Sequence, residues 1–223
     1  MPGVSFSFAS ATMYPLPCGA LFWPAESALL VADLHLEKAS WLASHGQPLP
    51  PYDSLDTLQR LASTLAATAA TRLFALGDSF HDPDGPGRLP GDAVMLLDRL
   101  LRQLDWTWVG GNHDGLAPGR LGGRVVEEAR LAGVSLRHIA DPAEGGAEIS
   151  GHWHPKVRIA LRTGRQVSRR CFALSANKLV LPAYGSLTGG LRVDDRAFRA
   201  AMPAAITAMV PLKKQLLQLA VAG

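Results

Sequence analysis

Four short blocks of this 223-residue chain carry side chains able to hold metal ions, and each follows a strand-like segment. Asp33-Leu-His35 follows the apolar run Ala28 to Ala32, and Gly77-Asp78 follows Leu73 to Leu76. Gly111-Asn112-His113-Asp114 comes soon after Trp106 to Val109, and Gly151-His152-Trp153-His154 follows Glu148 to Ser150. An aspartate and a histidine two residues apart point the same way from an extended strand end. The glycine before Asp78 permits close backbone approach, and the two oxygens of that carboxylate can bridge two cations. Each block alone has an ordinary reading as turn or loop chemistry. Four at once, with oxygen and nitrogen donors and no thiolate, do not. Oxygen mixed with imidazole suits Mn²⁺, Fe or Zn²⁺. Two such cations roughly 3.5 to 4 Å apart activate a shared water and clamp a phosphate for in-line attack.

Positioning these blocks requires buried strands whose ends meet. Ala28 to Ala32 is apolar throughout, the pattern of a strand covered on both faces, and Leu73 to Leu76 and Trp106 to Val109 repeat it. Between them the leucine spacing predicts a helix over Ser54 to Ala70, with Asp53 placed to cap it, and a second over Asp92 to Leu104. Strand, helix, strand, helix, strand implies a parallel sheet whose carboxyl ends share one crevice. Beyond about residue 124 the segments around Val134 to His138, Glu148 to Ser150, Lys156 to Leu161, Arg170 to Leu174 and Lys178 to Leu181 read as a second, mostly antiparallel sheet. Ala205 to Leu212 and Leu216 to Val221 either add a final strand or cover an interface. Nothing marks a boundary, so residues 1 to 223 are taken as one domain.

Hydrophobic residues make up 48% of the chain and charged ones 18%, which excludes a disordered protein. No apolar run spans a bilayer, and residues 1 to 20 contain no Lys or Arg for a signal peptide, so a soluble, cytoplasmic protein is expected. Cys18 and Cys171 form no zinc spacing and suggest no disulfide framework. The net charge of +3 hides an asymmetry. Residues 151 to 223 hold 12 Lys/Arg against only Asp194 and Asp195. The basic excess is either a solvated face or a surface for an anionic partner. Lys156, Arg158 and Arg162 alternate with Val157, Ile159 and Leu161, and Arg165, Arg169 and Arg170 follow a Thr163-Gly164 turn. A basic hairpin directly after His152 and His154 could track a nucleic-acid backbone.

The order D-x-H, G-D, G-N-H-D, isolated H, G-H-x-H resembles the calcineurin-like metallophosphoesterases. The resemblance implies a four-layer αββα sandwich with two mixed sheets and two divalent metals at the strand ends. It implies one metal on Asp33, His35 and His154, with Asp78 bridging to a second held by Asn112, His138 and His152. His138 is the only histidine between its flanking blocks. His113 would act on the phosphoryl or leaving oxygen, with Asp114 orienting its ring. His45 matches no position of the pattern. The stretches Asp33 to Ser40, Leu49 to Asp53, Gly77 to Asp82, Ile149 to Pro155 and Leu181 to Leu191 further resemble the bacterial ligase-associated DNA-damage-response metallophosphoesterases. That subgroup implies an endonuclease or phosphodiesterase acting in DNA repair, and association with an ATP-dependent DNA ligase and a DEXH-box helicase, while the wider family resemblance favours Mn²⁺. Lys38, Arg158 and Arg162 are candidate substrate contacts, while Lys38, Glu37 and Asp82 equally suit salt-bridge or capping roles. The alternatives are a hydrolase of small nucleotides or lipid-linked pyrophosphates, and a non-catalytic scaffold.

Overall fold

The computed structural model describes residues 3–221. Its first sheet runs in chain order: β1 (Phe6–Phe8), β2 (Ala11–Pro15), β3 (Leu21–Trp23), β4 (Ala28–Val31), β5 (Arg72–Leu76), β6 (Asp105–Val109) and β7 (Arg124–Val126). The first four form an antiparallel meander and β4 to β7 are parallel. The parallel half is the predicted part; the meander before β4 was not foreseen. Between the parallel strands lie α1 (Lys38–Ser44), α2 (Asp53–Thr68) and α3 (Gly91–Gln103).

The second sheet contains β8 (Ala129–Leu131), β9 (Val134–Leu136) and β10 (Glu148–Ser150). After it come the separate hairpin β11 (Lys156–Ala160) and β12 (Gln166–Arg170), then β13 (Phe172–Leu174), β14 (Lys178–Val180), the short helix α4 (Arg196–Ala201), β15 (Ile206–Pro211) and β16 (Leu216–Val221). The sheet order is β16-β15-β13-β14-β10-β9-β8. Strand β10 is parallel to both neighbours and the other pairs are antiparallel. Lys156 to Leu161 therefore does not join this sheet as expected. It pairs along its length with β12 and, through Lys156 alone, with Arg192, and its Val157 and Ile159 pack on the outer face of the sheet beside Phe198. The last two apolar stretches are β15 and β16, with β16 at the sheet edge and β15 between it and β13.

Strand β4 is apolar at every position because it serves two cores. Leu29 and Val31 pack with Leu58, Leu61 and Leu97 of the helices, whereas Ala28 and Leu30 join Phe74, Leu136, Ile149 and Leu179 between the sheets. A third core lies on the outer face of the second sheet under α4 and the hairpin, completing four layers. One expected cap is relocated. Asp53 is the first residue of α2, and its Oδ2 accepts from the Ala39 N–H in the first turn of α1, 3.0 Å away. It thus satisfies an orphan donor of the neighbouring helix.

Candidate metal centre

Beyond β4 and β5 the chain does not turn away; the two segments run side by side. The Asp33 N–H donates to Gly77 O, His35 to Asp78 O, Leu36 to Ser79 O, and His81 N–H back to Leu36 O, all at 2.9 to 3.2 Å. This pairing ties Asp33, His35 and Asp78 into one rim. The expectation of an extended D-x-H segment is corrected here. Asp33 and His35 have φ of 55° and 44°, and Asp78, His152 and His154 have 47°, 70° and 45°. Five metal-capable residues thus occupy the left-handed region, which is sparsely populated by non-glycine residues and persists where surrounding structure over-determines it.

Two groups of donor atoms result. Asp33, His35 and His154 form one, and Asp78, His138 and His152 the other, each with its donor atoms within 4.8 Å of one another. In the first, His35 Nε2 is 3.3 Å from His154 Nε2, which is itself 3.3 Å from Asp33 Oδ1. In the second, His138 Nε2 lies 3.4 Å from Asp78 Oδ2, 3.2 Å from His152 Nδ1 and 2.9 Å from Asn112 Oδ1. Asp78 Oδ2 also lies 3.9 Å from His35 Nε2, so one carboxylate oxygen faces both groups. Each group draws residues from both sheets: 33, 35, 78 and 112 follow strands of the first, 138, 152 and 154 strands of the second.

Electrostatics favour the ligating forms of His35, His152 and Asp78. Burial, and then the neighbouring His154, lower His35 to about 2, so its imidazole is neutral at ordinary pH. His152 is lowered by burial and by His138. Burial works against ionising Asp78, but its bond to His138 and the adjacent His138 charge outweigh burial and hold the carboxyl well below its usual range. Burial likewise opposes charge on His138, and the Asp78 bond and Asp33 charge overcome it, raising that ring. Ring nitrogens and carboxylate oxygens that converge with so few protons to share suit divalent cations.

Close approach is purchased with glycine. A Cβ on Gly77, where φ is +77°, would lie 2.3 Å from the His138 ring, and one on Gly111 would lie 2.1 Å from Asp78 N. Gly77→Ala is therefore expected to displace His138 and to cost roughly 2 to 5 kcal/mol through left-handed strain and overpacking. Metal analysis should then find fewer than two ions per chain, and calorimetry a lowered melting point; two tightly held ions would contradict this account of the packing.

Asn112 and His113 are exposed, and His113 Nε2 lies 3.8 Å from Asp78 Oδ2 on the open side of the centre. The expected Asp114 contact to the His113 ring is not made. The buried Asp114 carboxylate accepts from the N–H groups of Phe80 at 2.9 Å and Gly111 at 3.2 Å, fixing the loop. His113 Nδ1 lies 3.0 Å from the His81 carbonyl instead. Burial pushes Asp114 up to about 6.

Among the other candidates, Lys38 opens α1 half-buried, and its charge bears on His35 and His81. Glu37 is locked to Ser54, which donates to it at 2.7 Å, and Asp82 is ion-paired with Arg88. Arg158, Arg162 and Arg165 are exposed on the hairpin, Lys156 is half-buried, and Arg170 is turned inward.

Sequence reasoning assigned no role to His81. Its Nδ1 is 3.3 Å from His35 Nδ1, its ring stacks on His113 at 5.1 Å, and Trp41 meets it edge-on at 4.7 Å. The ring of His45 stacks on the other side of that wall, 4.1 Å from Trp41. The only sequence signal was a histidine three residues after Asp78.

No protein-family model matches the chain, and no curated protein does. Among solved structures, the nuclease MPE of Pseudomonas putida superposes with a TM-score of 0.72 at 29% identity, over 97% of this chain and 99% of that one. The phosphoesterase YfcE of E. coli gives a TM-score of 0.47 at 17% identity, over 87% of this chain and 99% of that one. The chain therefore shares the fold of a solved nuclease over nearly its whole length, and it gathers two groups of aspartate and histidine donors able to hold metal ions at its strand ends.

Proposed function

We propose that the chain hydrolyses phosphodiester bonds of DNA with two divalent cations, Mn²⁺ being the leading candidate, in the service of DNA repair. The observation that carries the reading is the single Asp78 oxygen, 3.9 Å from His35 Nε2 and 3.4 Å from His138 Nε2. An oxygen so placed suits a carboxylate shared by two cations. Asp33, His35 and His154 would hold one cation and Asn112, His138 and His152 the other, with Asp78 between. Bound there, the pair supplies Lewis acidity and an activated water. The chain itself supplies orientation and a proton: with its Nδ1–H donated to the His81 carbonyl, His113 aims Nε2 at the open side, where in the imidazolium form it donates to a leaving oxygen. The similarity to a nuclease over nearly the whole chain favours a nucleic-acid substrate.

The test is a substrate panel for the metal-loaded protein: single-stranded DNA, duplex DNA, 2′,3′-cyclic nucleotides and a chromogenic diester. DNA cleavage is the expected result. Turnover of the small diesters alone would transfer the assignment to a nucleotide phosphodiesterase, and no turnover with both metals bound would favour a scaffold.

The exposed arginines of the hairpin carry a separate expectation. Neutralising Arg158 and Arg162 together should raise KM for DNA and leave kcat unchanged. The slope of log affinity against log salt should flatten by roughly 0.7 per lost phosphate contact on single strands. The chromogenic diester should be unaffected, and an unchanged salt slope would remove the hairpin from the substrate path.

A further inference from the structure

On the far side of the 182–185 segment from Asp33 lies a cavity of about 500 Å³ lined by Arg60, Arg169 and Arg170 above an apolar floor that includes Leu16, Phe172 and Val210. None of the residues lining it is a metal ligand and none is a carboxylate. Among the described residues no ion pair involves any of the three arginines. Two of them are held at fixed positions. Arg170 donates to the carbonyls of Ala183 and Gly185, both at 3.1 Å, and to Thr188 Oγ1 at 2.9 Å. Arg60 donates to the Tyr184 carbonyl and lies over the Tyr184 ring at 4.7 Å, while its Nε is buried without a partner.

Two guanidiniums drawn to consecutive carbonyls of one segment repel each other, and among the described residues neither forms an ion pair with a carboxylate. Burial, and then the Arg60 charge, lower Arg170 from its ordinary value. Gathering unpaired cations in a partly desolvated cavity is unfavourable unless an anion completes it, and planar guanidinium groups match phosphate oxygens in pairs. The apolar floor adds a surface for a flat or aliphatic body attached to the charge. Lys213 and Lys214 follow Leu212, itself on the cavity wall, in the turn between β15 and β16 and raise the local potential.

We propose that this cavity is a second phosphate-binding site, separate from the metal centre, for a phosphate ester bearing a nucleoside. Its ligand is either a free nucleotide or a nucleotide of a longer strand. The 182–185 segment links the two sites: Tyr184 N–H donates to Ala32 O at 2.8 Å and Gly185 N–H to Asp33 O at 3.1 Å.

The test is binding to chelator-treated, metal-free protein, which separates it from catalysis and from the function proposed above. Calorimetric titration with thymidine 5′-monophosphate and with a short single-stranded oligothymidylate is expected to show one saturable site. Arg169 donates to the adjacent Ser168 carbonyl at 3.2 Å, so Arg169→Ala disturbs little of the fold and should weaken binding at least tenfold, and Arg60→Gln likewise. Asp78→Asn should leave it unchanged. Binding of the mononucleotide identifies a nucleotide site; binding of the oligonucleotide alone identifies a hold on the strand. Absence of binding by both probes, or binding that survives Arg169→Ala and Arg60→Gln alike in variants of wild-type melting behaviour, would overturn the proposal.

Discussion

Asp78→Asn is expected to lower turnover of every substrate by about a thousandfold or more, equivalent to about 4 kcal/mol of transition-state stabilisation. The substitution is almost isosteric, and its amide oxygen can still accept from the His113 N–H, which lies 2.9 Å from Asp78 Oδ1. The amide nitrogen then replaces Oδ2, facing His138 and His35, where it donates hydrogen bonds and cannot serve two cations. The fold is kept while the bridge is lost. Metal analysis should show the loaded protein falling below two ions per chain, and the melting point of the metal-free protein should change little. Retained activity with two ions bound would remove Asp78 from the bridging position.

His113→Ala is expected to behave differently. The ring is not in either donor group, and its side chain is 40% exposed, so metal content and stability should be unaltered. The rate on DNA should fall by about 10² to 10⁴, the usual contribution of a positioned acid or base. A nitrophenolate leaves without needing a proton, so a chromogenic diester should lose far less than DNA, whose leaving group is an alkoxide. Equal losses on both substrates would assign His113 to holding the phosphoryl group instead of protonating the leaving oxygen.

The parallel half of the first sheet was legible because buried strands and amphipathic helices leave opposite periodicities, as in Leu29 to Val31 against Leu58, Leu61 and Leu65. The two groups of converging donors were legible because most of them fall in four short blocks, although His138 has no local pattern and only the resemblance supplied it. Three features were hidden. The β1 to β3 meander is built of strands of 3, 5 and 3 residues, too short for their alternation to stand out. The left-handed backbone at Asp33 and His35 depends on hydrogen bonds to the β5 segment, a tertiary cause that spacing does not record. The Arg60 and Arg170 pairing joins residues 110 positions apart through the carbonyls of a third segment, so no local window contains it.

Both donor groups take residues from both sheets, and this sets the order in which the molecule can be assembled. A chain in which only β4, β5 and β6 have formed presents Asp33, His35, Asp78 and Asn112, a partial set lacking three of the four proposed imidazole ligands. High-affinity capture of an ion must wait until His138, His152 and His154 are carried in by the docking of the second sheet. On the proposed ligand set, cations bound there would be late clasps across the seam between the sheets. Their uptake during refolding would then report the moment the two halves close, and their removal would loosen that seam first at the donor groups.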